Sequence, residues 1–410
     1  MNRILPRIRI LFMFAFAILV SFVLTGCWDR SEIEERAVVL GIAVDIAENS
    51  EEQKVDEISY IKGKTPLPPG HLVRVTAQIA VPGRIPLGPG EGTGGGKRPV
   101  WVLEAVGHTV DDAMQVLQQE VADRLFLGHL RIIVISEEYA RNGTGNLNDY
   151  LRRNPEVRRL AWLLVSKEEA SKLMKAAPEL ERVPALYLLS TMDHAVEMGK
   201  YPNEFIGNFW IKISSQGREA NLPYIEIKEE DNVQISGLAY FKGNRMVGVT
   251  KPLEIGFYMA LTGVSEGGYT AFIQLPDSEE TVLFKATNRR KETSVSLKQG
   301  RPHVYVKIHL EGNIVEKSQE KASALSDDQI IKELEERMPQ YIRKSHENFI
   351  LKMQNEGSDI FGFGEYFRAK EPQYWNHEIR NKETWQKTFK DVSIEMDIQV
   401  QIRRVGSKAE

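Results

Sequence analysis

The 410-residue chain contains one thiol, Cys27, and its type and position make it the first candidate for chemistry. A cysteine thiolate is a strong nucleophile and can accept a covalent group. With no second cysteine there is no intrachain disulfide, and cysteine zinc sites are excluded. The next candidate is Ser265, within Gly263-Val264-Ser265-Glu266-Gly267. That spacing matches a nucleophile elbow, whose chemistry is acyl transfer and which needs a sharp strand-to-helix turn plus a downstream acid and histidine. His303, His309, His346 and His377 lie downstream, but Tyr269 to Ile273 reads as a strand, so a glycine-rich β-turn is the expected structure. Gly94-Gly95-Gly96-Lys97 has part of a phosphate-binding loop, yet Glu91 and Arg98 stand where a glycine and a hydroxyl are required. The eight histidines show no metal-ligand spacing. No catalytic constellation emerges.

Two clusters suit binding better than catalysis. Arg152, Arg153, Arg158 and Arg159 lie near Trp162 and could face anionic lipid or an acidic partner; a solvated face paired with Asp149 and Glu156 is the plainer expectation. Asp359-Ile360-Phe361-Gly362-Phe363-Gly364, with Tyr366 and Phe367 after it, alternates glycines with rings. Such glycines allow tight turns that fold aromatics back onto a preceding helix, and Trp375 and Trp385 are expected to join the cluster. A packed core under a loop is the main reading, a partner-docking surface the other.

The element that positions Cys27 is the leader. Arg3, Arg7 and Arg9 precede a run from Ile10 to Leu24 that is apolar except for Ser21, and no acidic residue occurs before Asp29. A basic start, an apolar middle and small residues at the exit are the parts of a secretory signal peptide. At the helical rise the run covers roughly 22 Å, short of a ~30 Å hydrocarbon core. The exit Leu24-Thr25-Gly26-Cys27 resembles the lipobox of bacterial lipoproteins, in which cleavage precedes the cysteine and its thiol carries a diacylglyceryl group. A retained anchor, an ordinary leader with an incidental cysteine and a core helix are the competing readings. The lipobox reading gives a chain cut after Gly26, bearing a diacylglyceryl group and an optional N-acyl chain such as palmitate on Cys27, with no other cofactor. Two or three acyl chains hold a membrane firmly where one does not.

The formal charge of −4 becomes −7 when the three leader arginines are removed. A mildly acidic exported chain argues against nucleic-acid binding. Hydrophobic and charged fractions of 42% and 27% are those of a folded protein. Patterning suggests a mixed α+β fold of three successive domains after the signal peptide (residues 1–26): 27–178, 179–300 and 301–406. In the first, strands at 37–45, 71–81, 130–136 and 160–166 alternate with helices at 147–153 and 167–176. Another helix is capped by Thr109 and stopped at Gly128; a Gly- and Pro-dense flexible loop fills 82–99, and Asn142-Gly143-Thr144 is a turn. The middle carries a helix over 179–198 interrupted near Pro184, a hairpin turning at Gly243-Asn244, and strand candidates at 280–286 and 293–297. The last third has a strand at 303–312. Its long helix starts at a Ser326/Gln329 capping box, is kinked at Pro339 and ends at Gly357. A strand over 392–402 follows, with Val392, Ile394, Met396, Ile398, Val400 and Ile402 alternating.

These pieces, in order, resemble the Ger(x)C family of spore germination lipoproteins. The carriers are Gly26-Cys27-Trp28-Asp29-Arg30, Gly128-His129-Leu130-Arg131, Gly237 to Lys242, Met246-Val247-Gly248, Asp359 to Gly364, Trp375, Trp385 and Ile402 to Gly406. The resemblance implies a C subunit of a nutrient germinant receptor without enzymatic activity. It also implies anchoring at the outer surface of the spore inner membrane and partnership with integral membrane A and B subunits. Only Cys27 carries a role residue by residue; the family transfers no ligand-binding residues. A lipid-anchored solute-binding protein that captures the germinant directly is the alternative, and a hydrolase using Ser265 is the third reading.

Overall fold

A computed structural model describes residues 36–84 apart from scattered positions between 49 and 69, then 99–176, 181–229, 232–274, 281–317 and 327–405, besides Met13. The lipobox residues Leu24, Thr25, Gly26 and Cys27 lie outside the described residues, as do Gly94 to Lys97, Ser326 and most of the 82–99 loop.

A nine-stranded mixed sheet takes up the first part of the chain. β1 (Arg36–Ile46) lies between antiparallel β2 (Val73–Ala80) and parallel β5 (Ile132–Ser136), with β3 (Val100–Gly107) beyond β2. Short β4 (Arg124–Phe126) also pairs with β1. The order continues through β6 (Trp162–Ser166), β7 (Asn221–Ile227), β8 (Val233–Lys242) and β9 (Arg245–Val249). β5 and β6 are buried throughout, and β1 from Gly41 to Asp45, as parallel strands covered on both faces must be. β8 and β9 form the hairpin expected at Gly243-Asn244, where Gly243 adopts a positive φ of 61°.

Helices α1 (Val110–Glu120), α2 (Glu137–Asn142), α3 (Gly145–Arg153), α4 (Ala170–Leu173), α5 (Pro184–Glu197) and α6 (Ile206–Ser214) connect these strands. Thr109 caps α1 by accepting the Asp112 amide. The helix stops at Glu120, not at Gly128, because β4 pairs with β1 in between. The helix expected over 167–176 is only the single turn of α4; its first amides are held by Asp45, whose Oδ1 and Oδ2 accept from Ala170 and Ser171 at 2.7 and 2.9 Å. Pro184 begins α5 and does not interrupt it, since a proline at the first helical position forfeits no intrahelical bond.

A four-stranded sheet forms the rest, in the order β10 (Thr270–Gln274), β11 (Thr281–Lys298), β12 (Arg301–Lys317), β13 (Ser393–Val405). The two strands expected at 280–286 and 293–297 are one, β11, because β12 pairs along its length. α7 (Pro252–Thr262) leads into this sheet. α8 (Asp327–Glu356) runs through Pro339 as one element and packs on β13, burying Ile330, Leu334, Met338, Phe349 and Met353. α9 (Phe363–Lys370) and α10 (Lys382–Phe389) follow. The sheets group residues differently from the three-part division: position 178 falls between two neighbouring strands of the large sheet, and 300 in the β11–β12 turn. One continuous core joins a face of the large sheet to the small sheet, from Trp162 and Leu238 to Phe349 and Trp385. No helix of the described residues is long and apolar enough to cross a membrane.

Candidate functional site

The Phe-Gly-Phe-Gly segment does fold its rings back. Phe361 meets Phe349 of α8 edge-on at 5.5 Å between centroids, and Trp385 lies 5.6 Å from both Trp375 and Phe367. At its centre is Asp359, only 1% exposed. Its Oδ1 accepts from the Gly362 amide, and its Oδ2 from the Gly364 amide and the Trp385 indole, at 2.9, 2.9 and 3.0 Å. Burial lifts the carboxyl to about 6, while these donors pull it back. Gly362 needs its glycine, because φ is 78° there.

This turn clasps the segment joining α6 to β7. The Glu219 amide donates to the Asp359 carbonyl at 2.8 Å, the Gly217 amide to Glu365 Oε1 at 2.7 Å, and Ser358 Oγ to the Phe241 carbonyl at 2.6 Å. A Cβ on Gly217 would stand 2.3 Å from the Gly364 carbonyl carbon. From α10, Lys382 Nζ reaches the carbonyls of Lys212 and Ile213 and pairs with Glu219 at 3.2 Å, so a cation caps the end of α6. Gln386 donates to the other Glu219 oxygen at 2.6 Å. Chain segments about 150 residues apart in sequence are thus locked side by side.

Behind the clasp, Lys212 is buried with Glu204, Asn221 and Tyr258. Its ammonium pairs with Glu204 and donates to Asn221 Oδ1 at 2.9 Å and to Tyr258 Oη at 3.2 Å. Arg218 also donates to Tyr258 Oη, at 3.3 Å. Burial brings the lysine down to about 8 despite its carboxylate. The signal in the sequence is a lone lysine among the apolar residues of Ile206 to Ile213.

Other expected residues are placed as follows. Ser265 is exposed in the loop between α7 and β10, so the order is helix, loop, strand, the reverse of a nucleophile elbow. Arg153 pairs with Asp149, and Arg152 donates to the Trp210 carbonyl and Ser214 Oγ; Arg158 and Arg159 are exposed. Trp162 is buried in the core, its indole donating to Asp193, and does not join that cluster. Among the described residues no group of three or more His, Cys, Asp or Glu could hold a metal ion.

Comparison with known proteins covers both parts of the chain. The family model for the spore germination protein N-terminal domain matches residues 29–227, and that for the spore germination B3/GerAC-like C-terminal domain matches 236–406. The junction spans the β7–β8 connection and the first residues of β8. Spore germination protein KC of Bacillus subtilis is 23% identical over 94% of this chain and 93% of its own length. Spore germination protein YndF of the same organism is 24% identical over 95% of each. The crystal structure of the GerBC protein superposes with a TM-score of 0.54 at 17% identity, covering 82% of this chain and 95% of its own, a likeness of fold.

Proposed function

The chain belongs to the spore germination GerAC-like family, and from that premise we propose that it is the lipid-anchored, non-enzymatic C subunit of a nutrient germinant receptor. The carrying observation is that two family models, adjoining with a gap of only eight residues, account for the chain from Asp29 to Gly406. Relatives aligned along nearly their whole length are spore germination proteins, which supports the same role here. In this reading Cys27 carries the diacylglyceryl group, and the protein is held at the outer surface of the spore inner membrane. Its partners there are the integral membrane A and B subunits. Tethering raises local concentration, so weak contacts with those subunits suffice for assembly.

The test is Cys27→Ala in the native spore. The expected outcome is loss of the protein from the membrane fraction and a germination defect to the cognate nutrient. Wild-type membrane retention with wild-type germination would overturn the proposal.

A further inference from the structure

On the small sheet, α7, β10, β11 and α8 enclose a cavity of about 370 Å³. Its walls are mostly apolar, with Phe257, Phe284, Leu310, Met338 and Ile342 among them. Phe272 and Tyr341 stand at its rim, 65% and 62% exposed. Two buried side chains in this lining carry polar atoms without a partner. Arg289 is 4% exposed and both terminal guanidinium nitrogens lack a partner; His346 is 2% exposed and its Nε2 lacks one.

The arginine arrives there through an irregularity in β11. Along this strand Val282, Phe284 and Ala286 are buried, all even positions; then the pairing with β12 shifts between Ala286 and Asn288, and the next buried residue is Arg289. The bulge transfers an odd position to the inner face, the re-aiming that bulges accomplish beside functional sites. The Gly263–Gly267 loop holds the bulge in place: the Arg289 amide donates to the Ser265 carbonyl at 2.9 Å and the Gly267 amide to the Thr287 carbonyl at 3.2 Å. A Cβ on Gly267 would lie 2.4 Å from Ala286 O, so only glycine fits there.

A guanidinium stays charged at every accessible pH, and burying it unpaired is strongly unfavourable. The group that satisfies its two open terminal nitrogens together is a planar carboxylate, bound end-on with one oxygen on each. His346 gives a carboxylate no further donor: its Nδ1 donates to the Ile342 carbonyl at 2.8 Å, so Nε2 keeps a lone pair that only a donor elsewhere on a ligand could meet. The volume is that of a small-molecule site. We propose that this cavity binds a small organic carboxylate with an apolar body, its carboxylate on Arg289 and its body against Phe257, Phe284 and Met338. The inference goes beyond the receptor reading and does not rest on it.

The experiment is calorimetric titration of the purified protein with butanoate, hexanoate, octanoate and 3-phenylpropionate, and with 3-phenylpropionamide as the uncharged control. At least one acid should bind with 1:1 stoichiometry, and more tightly as the apolar body grows. The amide should bind at least about 10-fold more weakly than its acid, and Arg289→Met should weaken acid binding about 10- to 100-fold, the loss of a charged hydrogen-bonded pair. No acid binding tighter than about 1 mM, equal affinity for acid and amide, or undiminished affinity in a folded Arg289→Met would each overturn the proposal. The acid–amide pair on the unmutated protein decides the matter even if the variant fails to fold.

Discussion

The Asp359 clasp and the Arg289 cavity both bury a formal charge in the C-terminal part of the chain, and they treat it oppositely. Asp359 has donors on both oxygens, supplied by two glycine amides and an indole. Arg289 has both terminal nitrogens open, and His346 across the cavity has an open Nε2. A buried polar group whose partners all come from its own chain makes the fold rigid and specific. In the carboxylate proposal, one left open inside a lined cavity is where a ligand binds. The two arrangements therefore separate what holds the molecule together from what it can hold.

Mutations sharpen the contrast. Asp359→Ala strands three buried donors and should lower the unfolding free energy by about 3–5 kcal/mol. Urea denaturation measures this, and a loss below about 1 kcal/mol would mean that the clasp is not structural.

The next effect is read against pH. Burial lowers His346 to about 4, with Arg289 adding to the shift. As pH falls below the usual 6.5, the unfolded chain takes up this proton while the folded chain refuses it until about pH 4. His346 therefore has no effect above that window, and it withdraws up to about 3 kcal/mol as the window is crossed towards acid. Relative to its own stability at pH 7, His346→Leu should exceed the unmutated protein by about that amount at pH 4. Equal pH profiles would show that the ring is not buried neutral. Asp359 works in the opposite sense. Its carboxyl, raised to about 6, is protonated first in the folded chain, so this group adds stability as pH falls from about 6 towards 4.

The smallest expected change is the one that tells the two regions apart. Arg289→Met removes an unpaired buried charge in exchange for apolar volume, and should leave stability unchanged or raise it by about 1 kcal/mol. A loss of 3 kcal/mol or more would give Arg289 a structural role like that of Asp359.

Much of this molecule was legible in its sequence. The continuous apolar run from Ala37 to Asp45 announced a buried strand, and the alternation from Val392 to Ile402 a half-buried one, because side chains in a strand repeat every two residues. The Thr109 cap, the Gly243-Asn244 turn and the Gly357 stop depend on neighbouring residues only, and each stands where local chemistry puts it. The glycines and rings around Asp359 announced a tight aromatic turn, though not the α6–β7 segment it grips. The lipobox reading of Leu24 to Cys27 is local in the same way and falls on residues outside those described.

Four things only the tertiary structure decided. Where α1 stops and whether β11 is one strand depend on pairing with β1 and β12, which lie far away along the chain. A lysine in a helix is ordinarily a surface residue, and only the tertiary structure closes Glu204, Asn221 and Tyr258 around Lys212. Arg289 reads as one more charge in a polar stretch, Asn288 to Glu292, and alternation alone would point it at solvent. Its inward direction follows from a bulge, and a bulge is a property of two strands and the loop that pins them. A period of two can be read from one strand, but the residue at which its phase slips is set by the strand beside it.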